Sequence, residues 1–253
     1  MMPRVHLIAC IGTRQSEAFS FNLFHHWIRH YLGAGFRPTE FRLALFSTCE
    51  ADNLDIVSNY LSDLDIKEVS RCFSQEHCCH EFERMYSTLR NGCARDDWIV
   101  LVDMDEFVDF PDTIHGFLRR VTLTDAEAVT GHLIDRFEAN LGFPPVETSC
   151  LWDQFPRKIP ATEKLLKADA RKVCVFRNYL MVSTGHHFLE QHEGRSPRMF
   201  EETLRVNHFK WDSGCRQRLE LTLQKFRRDL EKYPWHQEVQ RALNHMADKL
   251  ILP

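Results

Sequence analysis

The sequence predicts an α/β fold with a mainly parallel central sheet flanked by helices. Two observations carry this. Short apolar runs alternate with helix-period segments four times between residues 5 and 110, the pattern of parallel strands whose crossovers lie on the sheet. The strand-like runs are also apolar at nearly every position, as strands covered on both faces are.

Each element follows from its residues. VHLIACIG (Val5–Gly12) is the first strand. In FNLFHHWIRHYLGAGF, Phe21, Phe24, Trp27, Ile28, Tyr31 and Leu32 recur at helical spacing, and Gly33 and Gly35 end the helix. Phe41–Ser47 is the second strand, followed by the loop TCEADN, where Asp52 or Asn53 caps a helix from Leu54 to Leu64. IKEVSRCF is a shorter third strand. A helix from Glu76 to Asn91 puts Phe82, Met85, Tyr86 and Leu89 on one side and stops at Gly92. WIVLVD, starting at Trp98, is the fourth strand.

After Pro111 the alternation weakens. Residues 112–121 read as a short helix, and 128–137, 171–178 and 205–211 as strands. The stretch 139–164 carries four prolines and little periodicity; it reads as one long loop, of the kind that serves as a lid or binding segment. Helices from Ser213 to Tyr233 and from His236 to Leu250 close the chain.

Composition narrows the function classes. The 253 residues carry a net charge of −4, so nothing global points to nucleic acid. No apolar run approaches the roughly 20 residues of a spanning helix, and the N-terminus reads as a strand rather than a signal peptide. A cytoplasmic location is the expectation. Nine irregularly spaced cysteines then favour free thiols over a disulfide framework. HCCH (His77 to His80) invites a zinc reading, but on a helix Cys78 and Cys79 fan away from the two histidines. No second Cys/His pair of zinc spacing follows.

In parallel sheets ligands bind beyond the carboxyl ends of the strands. That rule gathers Thr13, Arg14, the segment from Ser47 to Asp52, and Asp103 to Glu106 on one rim. WIVLVDMDEFVDF is the pointed case: Asp103, Asp105, Glu106 and Asp109 crowd directly behind a buried strand. Such acids either cap a turn or hold a hard divalent cation through oxygen. Glu106 is expected to brace the turn, and Asp109 to cap the chain before Pro111.

VLVDMDEFVDFP resembles the Asp-x-Asp-Glu-Phe signature of glycosyltransferases of the GT-A fold, nearest to the family 2-like and family 92 (DUF23) groups. SEAFSFNLFHHWIRHYLGAGF, LFSTCEADN and RVNHFKW resemble further segments of that family, in the same order. The resemblance spans residues 5 to 230. It implies a metal-dependent transferase that moves a sugar from a nucleotide-diphosphate donor, UDP-sugars favoured, to a glycan or other hydroxyl acceptor; inversion is the expectation, and a retaining mechanism, which needs no general base, stays open. It implies Mn²⁺ or Mg²⁺ held by Asp105, with Asp103 nearer the ribose and metal-bound water and His208 as a third ligand. Thr13, Arg14, Glu17, Ser47, Asp52 and Asp103 are the expected nucleotide contacts. The matching organisation is a domain over 1–212, with a nucleotide-binding half 1–110 and an acceptor-binding half 111–212, then a helical extension 213–253.

The residues add candidates of their own. Lys172, Arg171 and Arg177 could meet a diphosphate, since lysine and arginine suit phosphate oxygens. Asp135, Asp153 and Glu190 are the candidate general bases, with Asp153 preferred because it lies in the proline-rich segment. Of His186 and His187, adjacent in GHHF, at most one faces a pocket. The basic helix after Ser213 is a docked helix or a surface for acidic lipid, which keeps peripheral membrane association open. Two other classes compete: a non-catalytic sugar- or nucleotide-binding protein, prompted by TRQSEAF standing where the family often has Arg-Asn-Glu, and a phosphatase of the haloacid dehalogenase type. Oligomeric state is not written in the sequence.

Overall fold

Strand β1 (Val5–Gly12) shows how the sheet is covered. Val5, Leu7, Ala9 and Ile11 enter one buried cluster while Ile8 and Cys10 enter another, because successive side chains of a strand face opposite sides. The computed structural model describes residues 3–13, 20–47, 54–73, 79–183, 185–227 and 236–247. Helix α1 (Phe21–Gly33) is capped by Ser20, whose Oγ accepts the Leu23 N–H at 3.1 Å. It buries Leu23, Phe24, Trp27, Ile28 and Tyr31, and truncating Trp27, which is wholly buried, would cost about 3–5 kcal/mol. Ala34 closes the helix and Gly35 turns the chain at φ +92°, a value a side chain rarely adopts.

Strands β2 (Phe41–Ser47), β3 (Glu68–Phe73) and β4 (Trp98–Leu101) alternate with helices α2 (Leu54–Asp63) and α3 (Cys79–Arg90). As expected, these first four strands are all parallel. Helices α1, α2 and α4 (Ile114–Leu123) cover one face and α3 the other. Beyond β4 the sheet becomes mixed. Strand β5 (Glu106–Asp109) precedes α4, and β6 (Ala128–Phe137), β7 (Arg157–Ile159), β8 (Arg171–Arg177) and β9 (Leu204–His208) follow it. The order is β3-β2-β1-β4-β8-β6-β9-β5, with β7 on β6.

Connectivity forces this sheet to curl. Four strand steps separate β4 from β5, about 19 Å if laid flat. Yet only residues 102–105 join Leu101 to Glu106, a reach of at most about 18 Å fully extended. In the fold that link is a turn (Glu106 N–H to the Asp103 carbonyl, 3.1 Å), so β5 returns toward β4. The acids of the turn therefore face residues from the far half of the chain.

Several expectations are corrected. The sequence places only a turn at Glu106–Asp109, but these residues pair with β9 as a strand; a four-residue strand is too short to show a period. Asp109 is not a cap: it lies across from Arg205, 3.7 Å away, and Thr113 caps α4 by accepting the Gly116 N–H. The proline-rich stretch contains α5 (Leu151–Gln154), β7 and α6 (Ala161–Lys164), each shorter than the repeat needed to see it. Helices α7 (Cys215–Phe226) and α8 (His236–Ala247) pack with Phe137, Leu165 and Trp211 in a third cluster. No helix among the described residues is long and apolar enough to cross a membrane.

Candidate functional site

The Asp103–Glu106 turn is held rigidly from three directions. Trp27 of α1 donates its indole N–H to the Asp103 carbonyl at 3.0 Å. Tyr31, one helical turn on, donates its hydroxyl to the Glu106 carbonyl at 2.9 Å and accepts the Val108 N–H at 3.2 Å. From the far half, Phe209 N–H binds the Asp105 carbonyl at 2.8 Å. Glu106 braces the turn from within, its Oε2 accepting the Asp103 N–H at 3.2 Å. The aromatic residues that make α1 amphipathic thus also fix the backbone carrying the acids.

His208 ends β9 between two acidic neighbours, opposite Glu106 of β5 and Asp135 of β6. Its Nε2 lies 3.4 Å from Asp105 Oδ2 and its Nδ1 2.9 Å from Asp135 Oδ1. Asp135 is completely buried and receives bonds from Trp211 Nε1 (2.9 Å), the Thr162 N–H (2.6 Å) and the Thr162 hydroxyl (3.1 Å). Burial opposes its ionisation, but these donors and His208 outweigh it and keep its pKa below the usual value. An ionised carboxylate only accepts, so Nδ1 carries a proton. Burial also works against a charged imidazole, yet the two carboxylates raise the His208 pKa to about 10. Asp105 is held well below the carboxylate range: burial opposes, and His208 prevails.

Lys172, from β8, supplies the second cation. Its Nζ sits 2.9 Å from Glu106 Oε1, 3.1 Å from the Gly185 carbonyl and 3.6 Å from Asp103 Oδ2. Burial disfavours the ammonium, but Glu106 and Asp103 hold its pKa above that of ordinary lysine. Asp103, Asp105, Glu106 and Asp135 thus share Lys172 and His208, and Lys210 and Arg218 add positive charge near Asp105.

The remaining expected residues fall into place unequally. Thr13 is wholly buried, with its N–H and hydroxyl on the Phe46 carbonyl at 3.0 and 3.3 Å. Ser47 ends β2; Arg14, Glu17 and Asp52 lie outside the described residues, as do His77 and Cys78 of HCCH. Arg171 is exposed on Asp169. Arg177 lies over Trp98 at the amino end of β4, away from the acids, because β8 runs antiparallel to β4. Asp153 is exposed on α5, next to Trp152, whose ring contacts Phe107 and Phe209. Glu190 lines a cavity of about 980 Å³ that Asp103 and His186 also line.

Asp105 and His208 come together, while Asp103 is turned to Lys172. Among the described residues no cluster of three or more His, Cys, Asp or Glu is arranged to hold a metal ion. As a donor set, Asp105 Oδ2 and His208 Nε2 offer hard oxygen and imidazole nitrogen, which suits Mn²⁺ or Mg²⁺ with positions left for water and phosphate. A carboxylate behind the ligating histidine, the place of Asp135, is the usual support of such a ligand. Sequence reasoning missed this contact, since only the β6–β9 register brings Asp135 to His208.

No family model and no curated protein matches the chain; neither family 2 nor family 92 is shown. Among solved structures it is similar to S. aureus TarS 1–349, at 13% identity over 96% of this chain and 72% of that one, with a TM-score of 0.38. Two further crystal structures of TarS 1–349 give similar values. The complex with UDP-GlcNAc matches at 12% identity over 96% and 73% of the chains, TM-score 0.39; the complex with UDP matches at 13% over 96% and 72%, TM-score 0.39.

Proposed function

We propose that the protein is a metal-dependent, inverting glycosyltransferase that transfers a sugar from a nucleotide-diphosphate donor, UDP-sugars first, to a hydroxyl acceptor in glycan or polysaccharide synthesis. The observation that carries this reading is the meeting of Asp105 and His208 Nε2 at 3.4 Å, with Asp135 behind the imidazole. Asp105 and His208 would hold Mn²⁺ or Mg²⁺, whose chemistry is Lewis-acid stabilisation of charge on the departing diphosphate. Asp135 keeps the proton on Nδ1, so that Nε2, once deprotonated, presents its lone pair toward Asp105. Lys172 would position the Asp103 carboxylate for the donor instead of reaching the diphosphate itself, because its ammonium is engaged by Glu106 and Gly185. Trp27, Tyr31 and Phe209 hold the turn so that this geometry needs no reorganisation.

Of the three candidate bases, Asp135 is fully buried with both oxygens engaged, which favours a positioning role over proton transfer. Asp153 is exposed on a helix anchored by Trp152 against Phe107 and Phe209, on the α1 face of the sheet.

The test is a melting experiment with UDP, GDP and dTDP, each with and without Mn²⁺, since a ligand selective for the folded state must raise the midpoint. The expected result is a manganese-dependent shift with UDP, lost in Asp105→Asn while the ligand-free midpoint stays near wild type. Silence with all three nucleotides overturns the reading; a ligand-free Asp105→Asn that does not fold shows that the acid serves the turn.

A further inference from the structure

A groove of about 980 Å³ runs along the α3 face of the sheet, between α3 and residues 178–190. Its lining starts at Asp103 and Leu101 and reaches Asn91 and Arg95, just before β4. From Trp98 to Asp103 the chain advances roughly 16 Å, so the groove is long enough for several sugar rings. Residues 181–183 and 185–190 are the two arms of a narrow hairpin. Ser183 N–H binds the Phe188 carbonyl and Glu190 N–H the Met181 carbonyl, both at 2.9 Å. Its tip is tied beside the acids: the His186 carbonyl accepts the Val173 N–H at 2.7 Å and the Gly185 carbonyl accepts Lys172 Nζ.

His186 stands out on this hairpin. It is 7% exposed, lines the groove and meets the Tyr86 ring edge-on at 5.2 Å. Its buried Nδ1 has no hydrogen-bond partner, and no described residue bonds Nε2. Its backbone is left-handed, φ +62°, a conformation that costs a bulky residue of order 1–3 kcal/mol and clusters at ligand-binding sites. A buried imidazole without a hydrogen bond among the described residues, in a strained tip, is a group kept for a ligand.

We propose that this groove is the acceptor site, that it takes a neutral, hydroxyl-rich oligosaccharide, and that His186 hydrogen-bonds the sugar ring nearest Asp103. The proposal rests on the glycosyltransferase reading above, which places the donor nucleotide at Asp103 and Asp105. A nucleotide lies beyond the strand ends, whereas this groove follows the sheet face, so the two ligands meet at Asp103. The charges argue against a polyanion. Arg90 is committed to Asn178 and the Leu180 carbonyl, and Arg95 to Glu193, while Glu190 adds an acid to the wall. Burial and Lys172 push the His186 pKa down to about 3, so the ring stays neutral and both donates and accepts, as sugar hydroxyls require. Glu190 lies four residues down the hairpin, roughly 13 Å along an extended chain, which fits a contact to a distal ring and not the reacting hydroxyl.

The experiment measures saturation-transfer NMR from the full chain to maltotetraose, cellotetraose and chitotetraose, with a heparin tetrasaccharide as the anionic control. The same samples are melted with UDP and Mn²⁺. Two variants accompany wild type: His186→Gly, which removes the ring where a left-handed residue is unstrained, and Asn91→Trp, which fills the far end from an exposed turn. The expected result is transfer to at least one neutral tetrasaccharide, weakened about tenfold in His186→Gly and lost in Asn91→Trp, with the UDP shift kept in both. No binding to any neutral tetrasaccharide, binding that both variants retain, or binding to the heparin fragment alone overturns the proposal. A missing UDP shift with groove binding intact overturns the donor reading instead.

Discussion

His208 and Asp135 are locked together, Nδ1 to Oδ1 at 2.9 Å, and this bond leaves Nε2 as the only imidazole nitrogen turned toward Asp105. The two residues are 73 positions apart in the chain, brought together by parallel pairing of β6 and β9. Asp135 therefore acts on Asp105 through His208.

Asp135→Asn tests that relationship. An amide cannot accept from Trp211, Thr162 and His208 as the carboxylate does, because half of it is a donor. Mn²⁺ affinity, followed by the manganese-dependent melting shift, is expected to fall about 10- to 100-fold. Stability is expected to drop by about 1–3 kcal/mol, the cost of unpaired buried groups. Unchanged manganese affinity in a folded variant would remove Asp135 from the site.

Lys172 and Glu106 form a buried pair, 8% and 4% exposed at their side chains. Lys172→Met strands a carboxylate and is expected to destabilise the chain by about 3–5 kcal/mol. The double variant Lys172→Met/Glu106→Gln removes both charges and should recover much of that loss in guanidinium titrations. If the double variant is no better than the single one, the lysine's worth lies in its bond to the Gly185 carbonyl.

Glu127 gives a prediction about acid. Hydrogen bonds from Arg195, opposed by burial and joined by the Arg198 N–H and the Tyr179 hydroxyl, depress its pKa well below 4.5. A depressed carboxylate stabilises the fold above its unfolded pKa, and that stabilisation is lost as pH falls toward the folded one. Glu127→Gln is expected to cost about 1–3 kcal/mol at pH 7, and the gap to wild type should close between about pH 5 and pH 2. A gap independent of pH would assign the loss to packing.

Much of the first half was legible. The four parallel strands and α1 follow from long apolar periods, and Asp103 and Asp105 from their place behind a core strand. His208 follows from the resemblance of RVNHFKW to a late segment of the family. What stayed hidden depended on partners. Asp135 reads as a candidate base until β9 lies beside it, and Lys172 as a diphosphate contact until Glu106 is found 2.9 Å away. The groove has no local signature, since α3 and the 178–190 hairpin meet only on the sheet.

By itself, then, the sequence determined the longer strands and helices and which loop carries the acids, because those depend on period, caps and turn chemistry within a few residues. The tertiary structure decided which side chains face those acids. A link of four residues between β4 and β5 makes the sheet curl, and the curl sets Asp105 against His208, Asp103 against Lys172, and the tip of the hairpin beside them both.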